Sequence, residues 1–205
     1  MPRSLSLATF LSLPVLLVAS VVLVSAVGFA WEGFLRALIL NPYRVRKSFH
    51  VHRLLTAGWV HVDVTHLFFN MLTLWFFATE ARKVLGDGRL LGLYVAAVVV
   101  GFVPTTLRHW KDPKYNSLGA SGAVAAVMFA AILLQPGLKL QLLFLPIPVP
   151  GILYAIGYLA YSAWHSYTSR DGVNHDAHFT GAVFGAALAY VFEPARVERT
   201  IRGFF

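Results

Sequence analysis

Cysteine is absent from this chain of 205 residues, which excludes a disulfide framework, a thiolate nucleophile and a metal site built on cysteine. Charge is also scarce, because 13% of the residues are charged whereas 58% are hydrophobic. Soluble domains carry about 25% charged residues and roughly 45–50% apolar ones. The composition therefore excludes a soluble enzyme, a disordered tail and a collagen-like fibre, and it predicts an integral membrane protein.

The 17 basic and 9 acidic residues fall in short clusters separated by long apolar stretches. Four uncharged stretches approach or exceed the ~20 residues that cross a bilayer as a helix. They are Leu5–Trp31, Leu90–Leu107, Tyr115–Leu138 and Leu140–Trp164. Two shorter stretches, Val64–Thr79 and Ala177–Phe192, each need a further turn from their flanks. We therefore predict one all-α, polytopic domain over residues 1–205, a bundle of six transmembrane helices at 5–31, 64–82, 89–108, 117–137, 148–166 and 175–192.

The connections between the spans are uneven in length and composition. Residues 32–63 form a long first loop that contains aromatic residues such as Phe49 and Trp59, so we expect it to pack on or into the membrane surface. The first span resembles a signal peptide, but its uncharged run exceeds the h-region of about 7–15 residues, and we interpret it as a retained helix. Pro148 and Pro150 predict a late start or a bend for the fifth span, because proline lacks an N–H.

The formal net charge of +8 could indicate a nucleic-acid partner. Short basic loops beside anionic headgroups explain it better, so we expect a lipid bilayer and no nucleic acid as a partner. In a six-span chain the side that carries the N-terminus holds eight Lys and Arg residues against nine opposite. Without the long first loop the ratio becomes eight to four, which favours a cytoplasmic N-terminus. We expect a multi-pass protein of a bacterial inner membrane.

Polar side chains inside apolar spans are costly in lipid, so they are the first candidates for a functional site. His66 and Asn70 lie four residues apart in the second span and therefore share one helix face. Ser121 lies at the start of the fourth span, and His178 lies at the start of the sixth. Even-numbered spans of a six-span chain enter from the same side. The four side chains are therefore expected at a similar depth near one membrane face.

Glycine spacing predicts how the fourth and sixth spans meet. His178, Gly181 and Gly185 follow an i, i+3, i+7 pattern, so both glycines lie in line beneath the histidine. Glycine lets a neighbouring helix backbone approach closely, and Ala125 lies on the same face as Ser121. Such a contact would bring the Ser121 hydroxyl within hydrogen-bond reach of His178. A serine nucleophile has this requirement because a base must take its proton.

The remaining polar groups suit acyl transfer, whose transition state develops negative charge on an oxygen. The Asn70 amide, the His66 imidazole and the backbone N–H of Ser121 can all donate hydrogen bonds to that oxygen. A carboxylate for a full triad is missing, because Asp176 lies two residues before His178 and so on another side of the helix. The sequence therefore predicts a Ser–His dyad.

In these motifs the chain resembles the rhomboid family of intramembrane serine proteases. The similarity covers roughly residues 53–192, in the expected order on a six-helix core. The segments that carry it are Arg53-Leu54-Leu55-Thr56, His61–Asn70, Gly119-Ala120-Ser121-Gly122-Ala123, and Ala177-His178 followed by Gly181 and Gly185. Each motif alone is weak, but the last three segments, in order on the second, fourth and sixth spans, make a strong signal.

The resemblance implies Ser121 as nucleophile and His178 as general base. It implies that His66 and Asn70 stabilise the oxyanion, together with the backbone of Ser121. The supporting glycines are Gly119, Gly122, Gly181 and Gly185. The family uses no metal and no organic cofactor. Its substrates are transmembrane segments of other proteins, which are cut near the membrane surface and are thought to enter laterally near the fifth helix.

The chain departs from the family pattern at two places. Many members carry an aromatic residue four positions after the serine, where it packs on the histidine, and this chain has Ala125 there. The orientation of His178 must then come from elsewhere or be looser. The second span often ends with a glycine and a glutamate, where this chain has Ala78 and Arg82. That difference concerns the cytoplasmic end of the helix and not the chemistry.

Other interpretations stay open. A non-catalytic rhomboid-like protein that binds transmembrane clients fits the same fold, with Ser121 as a helix-packing residue and His178 as a hydrogen-bonded core histidine. A small transporter is disfavoured, because no carboxylate lies in the apolar interior of a span and the chain has no internal repeat. Zinc proteolysis is disfavoured as well, since His175 and His178 lack the glutamate of an H-E-x-x-H motif.

Overall fold

The computed structural model describes residues 12–141, 147–168 and 171–204, and its secondary structure is almost entirely helical. The helices are α1 (Leu13–Ala30), α2 (Glu32–Leu38), α3 (Pro42–Ser48), α4 (Arg53–Thr56), α5 (Val64–His109), α6 (Ser121–Leu134), α7 (Gly151–Thr168), α8 (His175–Phe192) and α9 (Pro194–Arg202). A 3-10 turn at Ala57–Trp59 follows α4. Strands β1 (Lys139–Gln141) and β2 (Pro148–Pro150) pair antiparallel between α6 and α7.

Helix α5 is two antiparallel passes that meet at Gly86, whose φ of 69° and ψ of 177° interrupt the helix. A Cβ atom built on Gly119 would lie 2.8 Å from Cε1 of His66, near the start of α5. A Cβ atom on Gly101, near the end of α5, would lie 3.8 Å from Cα of Gly122. A continuous helix of 46 residues would be roughly 69 Å long. Both ends can reach residues 119–122 only because the chain reverses at Gly86.

The surface of the bundle is apolar. Helices α1 and α5 are the two, among the helices the structure describes, that are long and apolar enough to cross a membrane. Large apolar side chains of several helices are nevertheless exposed: Leu23, Trp75, Leu107, Trp164 and Val191. A soluble protein rarely exposes so much contiguous apolar surface, whereas lipid solvates it without cost. The all-α architecture matches the fold class that the sequence predicts.

Helix α6 forms the centre of the bundle. All of its residues except Ser121 and Leu133 are buried, and it packs against both α5 and α8. The sequence predicts a span at 117–137, but α6 has only 14 residues. Because protein and not lipid surrounds α6, its length is set by its neighbours and not by the thickness of the bilayer.

The other helix bounds differ from the predicted spans at their ends. Helix α1 begins at Leu13, and the predicted residues 5–11 lie outside the part of the chain that the structure describes. The gap expected at 83–88 shrinks to the single residue Gly86, because one left-handed glycine is enough to break the helix. The late start of the fifth helix is confirmed, since Pro148–Pro150 form β2 and α7 begins at Gly151.

The long first loop is structured and joins the segment that leads into α6. Arg53 is buried and donates hydrogen bonds to the carbonyl oxygens of Arg36, at 2.9 Å, and Ile39, at 2.6 Å. Leu40 and Ser117 exchange two backbone hydrogen bonds of 3.0 Å. The loop thus holds the chain four residues before Ser121. Its packing on the membrane surface stays a prediction.

The contact between α6 and α8 is made by backbone atoms. A Cβ atom on Gly181 would overlap the carbonyl oxygen of Gly122, and one on Gly185 would overlap the carbonyl oxygen of Ala126. A Cβ atom on Gly122 would lie 2.9 Å from the carbonyl oxygen of Ala177. Only glycine permits this approach, which brings the start of α6 beside the start of α8.

We expect Gly185→Ala to destabilise the protein by about 1–3 kcal/mol, because the added methyl group has to push α6 and α8 apart. Gly157→Ala on α7 is the matched control, since a Cβ atom there would meet no other helix of the described residues within 4 Å. The control should keep or slightly raise stability. The midpoint of thermal unfolding in detergent micelles measures both, and equal midpoints for the two variants would contradict the close contact.

Candidate active site

A cavity of about 960 Å³ opens among the starts of α5, α6 and α8. Its lining includes polar loop residues, among them Asn116 and Asp171. It also includes apolar side chains of the helices, such as Phe69 and Met128. The predicted site residues Ser121, His178, His66 and Asn70 all line the cavity. This mixture of polar loop residues and apolar helix residues suits a site that holds both water and an apolar chain.

Ser121 is the first residue of α6, and the turn before it depends on glycine. Gly119 has a φ of 116°, which side chains rarely tolerate, and its missing Cβ leaves room for the ring of His66. Ser121 lies within the first turn of α6, where backbone N–H groups lack intrahelical partners. The turn at Gly119 therefore fixes the position of both the hydroxyl and the backbone N–H of Ser121.

His178 lies one turn into α8, and Asn174 fixes the start of that helix. The side-chain oxygen of Asn174 accepts hydrogen bonds from the Ala177 N–H, at 3.0 Å, and from the Thr105 hydroxyl, at 2.8 Å. Its amide nitrogen donates to the Ser117 hydroxyl at 2.9 Å. Asn174 thereby connects α8, α5 and the loop that leads to Ser121. The sequence reasoning missed it, although asparagine at the start of an apolar helix is a frequent N-cap.

The structure brings Ser121 and His178 to the wall of one cavity. The hydrogen bonds of residues 12–141, 147–168 and 171–204 include none between these two side chains, so the predicted dyad contact stays a prediction. The ring of His178 instead packs against the rings of Tyr158, with centroids 6.2 Å apart, and His175, at 5.7 Å. The structure thus gives the imidazole aromatic neighbours from α7 and from its own helix.

His66 and Asn70 lie on one face of α5, as predicted from their spacing. The Asp63 carboxylate caps the helix by accepting the His66 N–H at 2.7 Å. The Asn70 amide donates to the carbonyl oxygen of His66 at 3.0 Å, which uses one of its two N–H groups. The second N–H is left for another acceptor in the cavity.

The Asp176 carboxylate contacts residues other than His178. It forms an ion pair with Arg108 at 2.8 Å and accepts a hydrogen bond from the Ser166 hydroxyl. These contacts tie α8 to α5 and to the end of α7. Among the described residues, no group of three or more His, Asp or Glu side chains is placed to hold a metal ion.

His61 is fully buried beside the turn that precedes Ser121. Ser25 of α1 donates its hydroxyl proton to the Trp59 carbonyl at 3.0 Å, so its oxygen accepts from Nδ1 of His61, also at 3.0 Å. The other ring nitrogen, Nε2, then accepts the Ala120 N–H at 3.4 Å. Only the neutral imidazole can make both contacts.

Burial lowers the pKa of His61, in the loop before α5, to about 4. The unfolded chain therefore binds this proton below about pH 6.5, whereas the folded protein does so only near pH 4. The contribution of the neutral imidazole to stability is complete above pH 6.5 and is lost as the pH falls towards 4. Its full size is about 3 kcal/mol.

We expect the loss of thermal stability between pH 7.5 and pH 4.5 to be smaller in His61→Gln than in the natural protein. Glutamine does not titrate in this range, so the proton uptake that drives unfolding is removed. His52→Gln is the matched control for the exchange of histidine for glutamine, because His52 is exposed and makes none of the contacts of His61. Unfolding midpoints in micelles at the two pH values measure the effect. An unchanged pH dependence in His61→Gln would contradict this account of His61.

Comparison with known proteins agrees with the fold. The model of the Rhomboid domain matches residues 48–195. RHOMBOID-like protein 12, mitochondrial, of Arabidopsis thaliana is 31% identical over 179 residues, which cover 78% of this chain and 53% of the plant protein. Rhomboid protease GluP of Bacillus subtilis is 31% identical over 135 residues, which cover 66% of this chain and 25% of the bacterial protein.

A third relative is the presenilin-associated rhomboid-like protein, mitochondrial, of Rattus norvegicus. It is 29% identical over 136 residues, which cover 64% of this chain and 36% of the rat protein. The chain thus spans about half the length of the Arabidopsis relative and smaller shares of the other two. The family model covers well over half of the chain. The predicted fold class, a polytopic bundle of six membrane helices, is confirmed as that of the rhomboid family, to which this chain belongs.

Proposed function

We propose that the protein is an intramembrane serine endopeptidase that cleaves transmembrane segments of other membrane proteins. The observation that carries the proposal is the meeting of four polar side chains from three helices, Ser121, His178, His66 and Asn70, on one cavity in an otherwise apolar bundle. Polar groups at this depth are costly unless they serve a function. The relative named Rhomboid protease GluP supports the same activity.

In the proposed reaction the Ser121 hydroxyl attacks the carbonyl carbon of a peptide bond in a locally unwound substrate helix. His178 takes the hydroxyl proton and passes it to the leaving amine, which gives an acyl-enzyme. A water molecule then attacks the acyl carbon while His178 takes its proton. The bond between that carbon and the Ser121 oxygen breaks, His178 returns the proton to this oxygen, and the carboxylic acid product leaves. Hydrogen bonds of active sites are often long without substrate and shorten in the reacting complex. The dyad contact is therefore expected to form when substrate fills the cavity.

The negative charge that develops on the carbonyl oxygen needs donors already in place. The proposal assigns this function to the free amide N–H of Asn70, the His66 ring and the backbone N–H of Ser121. Gly119 sets the distance between two of these donors, because its missing Cβ lets the His66 ring lie against the turn before Ser121. No metal or organic cofactor takes part in this scheme.

The proposed substrate approaches from the α7 side. A second cavity of about 560 Å³ lies between α7 and α8, and its lining shares Tyr154, Tyr158 and His178 with the larger cavity. An apolar segment in the bilayer can thus reach the site past α7. Water reaches it past polar loop residues such as Asn116 and Asp171.

Family membership establishes a membrane location, and the finer location is a proposal. We place the N-terminus on the cytoplasmic side, as the charge count favours. The bacterial inner membrane expected from the sequence gains no support from the comparisons, since two of the three relatives named above are mitochondrial.

A second candidate function is binding of transmembrane clients without cleavage. The missing hydrogen bond between Ser121 and His178 among the described residues favours it, as does alanine at position 125. A fluorophosphonate probe separates the two functions, because it reacts only with an activated serine. Labelling of the natural protein but not of Ser121→Ala supports the peptidase, and no labelling at any pH supports the binder.

We expect Ser121→Ala and His178→Ala each to lower cleavage of a reporter transmembrane substrate by at least about 10³-fold, because the dyad acts as a unit. Ser48→Ala and His52→Ala are matched controls, since both side chains are exposed and lie outside the cavity. They should cleave at the natural rate. Purified proteins in micelles, incubated with a panel of model substrates, give the measurement. Full activity in Ser121→Ala or His178→Ala would reject the dyad.

We expect Asn70→Ala to lower kcat by about 10²–10³-fold with a much smaller change in KM, because the donor acts on charge that exists only in the transition state. Fluorophosphonate labelling should persist, although more slowly, since Ser121 and His178 remain. Steady-state kinetics with the reporter substrate measure the two constants separately. A rise in KM alone would show that Asn70 binds substrate and does not stabilise the oxyanion.

A further inference from the structure

The His178 ring has an aromatic partner that the sequence motifs do not mark. The ring of Tyr158, on α7, lies nearly parallel to it, with centroids 6.2 Å apart and an interplanar angle of 27°. Offset, near-parallel rings at this distance attract each other and restrict rotation of both. The hydrogen bonds of the described residues include none to the His178 side chain. The stacked tyrosine is therefore a principal constraint on the orientation of the imidazole.

Tyr158 is itself held in place. Its ring contacts Phe129 of α6, with centroids 5.7 Å apart, and Tyr154 one turn earlier on α7, at 6.2 Å. Phe129 is buried in the central helix. The aromatic contact to His178 therefore extends through Tyr158 to the same helix that carries Ser121.

Helix α6 cannot supply this partner from its own face towards α8. Ala125, one turn after Ser121, is buried and ends at a methyl group. The backbones of α6 and α8 meet at Gly181 and Gly185, which leaves no room between them for a large side chain. Apart from His175 on its own helix, an aromatic ring beside His178 therefore has to come from a helix other than α6, and α7 provides it with Tyr158.

We infer that Tyr158 is a positioning residue for His178: stacking from α7 limits the rotation of the imidazole, so that a ring nitrogen can take the Ser121 proton once substrate fills the cavity. The inference rests on the proposed peptidase function. It assigns to Tyr158 no contact with the reacting atoms. A general base needs a fixed orientation as well as a short distance, and a third group usually provides it.

The test compares Tyr158→Leu, Tyr158→Met and Tyr158→Phe in purified full-length protein. Leucine and methionine keep apolar volume but remove the ring, whereas phenylalanine keeps the ring. Tyr190→Leu is the matched control, because Tyr190 is an exposed tyrosine of α8 outside both cavities. Titration with a fluorophosphonate counts the competent active sites, so that kcat refers to folded enzyme alone.

We expect kcat per titrated site to fall about 10–100-fold in Tyr158→Leu and Tyr158→Met, with KM within about threefold of the natural value. Tyr158→Phe and Tyr190→Leu should stay within about threefold in both constants. A loss in Tyr158→Phe equal to that in Tyr158→Leu would assign the effect to the hydroxyl and overturn the inference. A fall in titratable sites at unchanged kcat per site would overturn it too, because that result marks a purely structural contribution.

The failure of the inference is distinct from the failure of the proposed function. If neither the natural protein nor Tyr190→Leu cleaves the reporter substrate or reacts with the fluorophosphonate, the peptidase function itself is rejected. Natural protein that cleaves at the same rate per site as Tyr158→Leu and Tyr158→Met would keep the peptidase and reject Tyr158 as a positioning residue.

Discussion

The backbone contact between α6 and α8 is the constraint on which the rest of the structure depends. Gly181 and Gly185 lie so close to the carbonyl oxygens of Gly122 and Ala126 that no side chain fits between the two helices. Helices in a membrane gain little from burying apolar surface, since lipid is as apolar as leucine. Close packing between backbones has to supply the attraction instead. This contact also fixes where the histidine helix begins relative to the serine helix.

Hydrogen bonds from distant helices then set the details of the site. His61 connects Ser25 of α1 to the N–H of Ala120, and Asn174 connects α5 to the start of α8. Buried polar groups need partners in an apolar bundle, and these groups find them in the turns that carry the candidate site. The hydrogen bonds of His61 and Asn174 thus fix the turns that carry Ser121 and His178.

The sequence predicts this fold well where the signal is local and poorly where it is not. Uncharged stretches, His66 and Asn70 at i, i+4, and glycines in line beneath His178 all follow from helix periodicity. The β1–β2 hairpin, the single-residue turn at Gly86 and the ring contact of Tyr158 depend on which segments meet in space. The periodicity of the sequence does not indicate which segments meet in space. Alanine at position 125 shows that an aromatic residue is missing from one helix, but not which helix supplies one instead.

The two candidate catalytic side chains, Ser121 and His178, differ in how firmly the surrounding packing holds them. Ser121 begins the central helix, all but one of whose other residues are buried, so the nucleophile is held by the core of the bundle. His178 depends for its orientation on a tyrosine of α7, whose residues are buried only at Gly151, Ala155 and Ser162. A helix with so few buried residues can shift at low cost. In the proposed peptidase, movement of α7 would therefore change the orientation of His178 before it disturbed Ser121. The proposed approach of a substrate from the α7 side would then be coupled to the formation of the dyad contact.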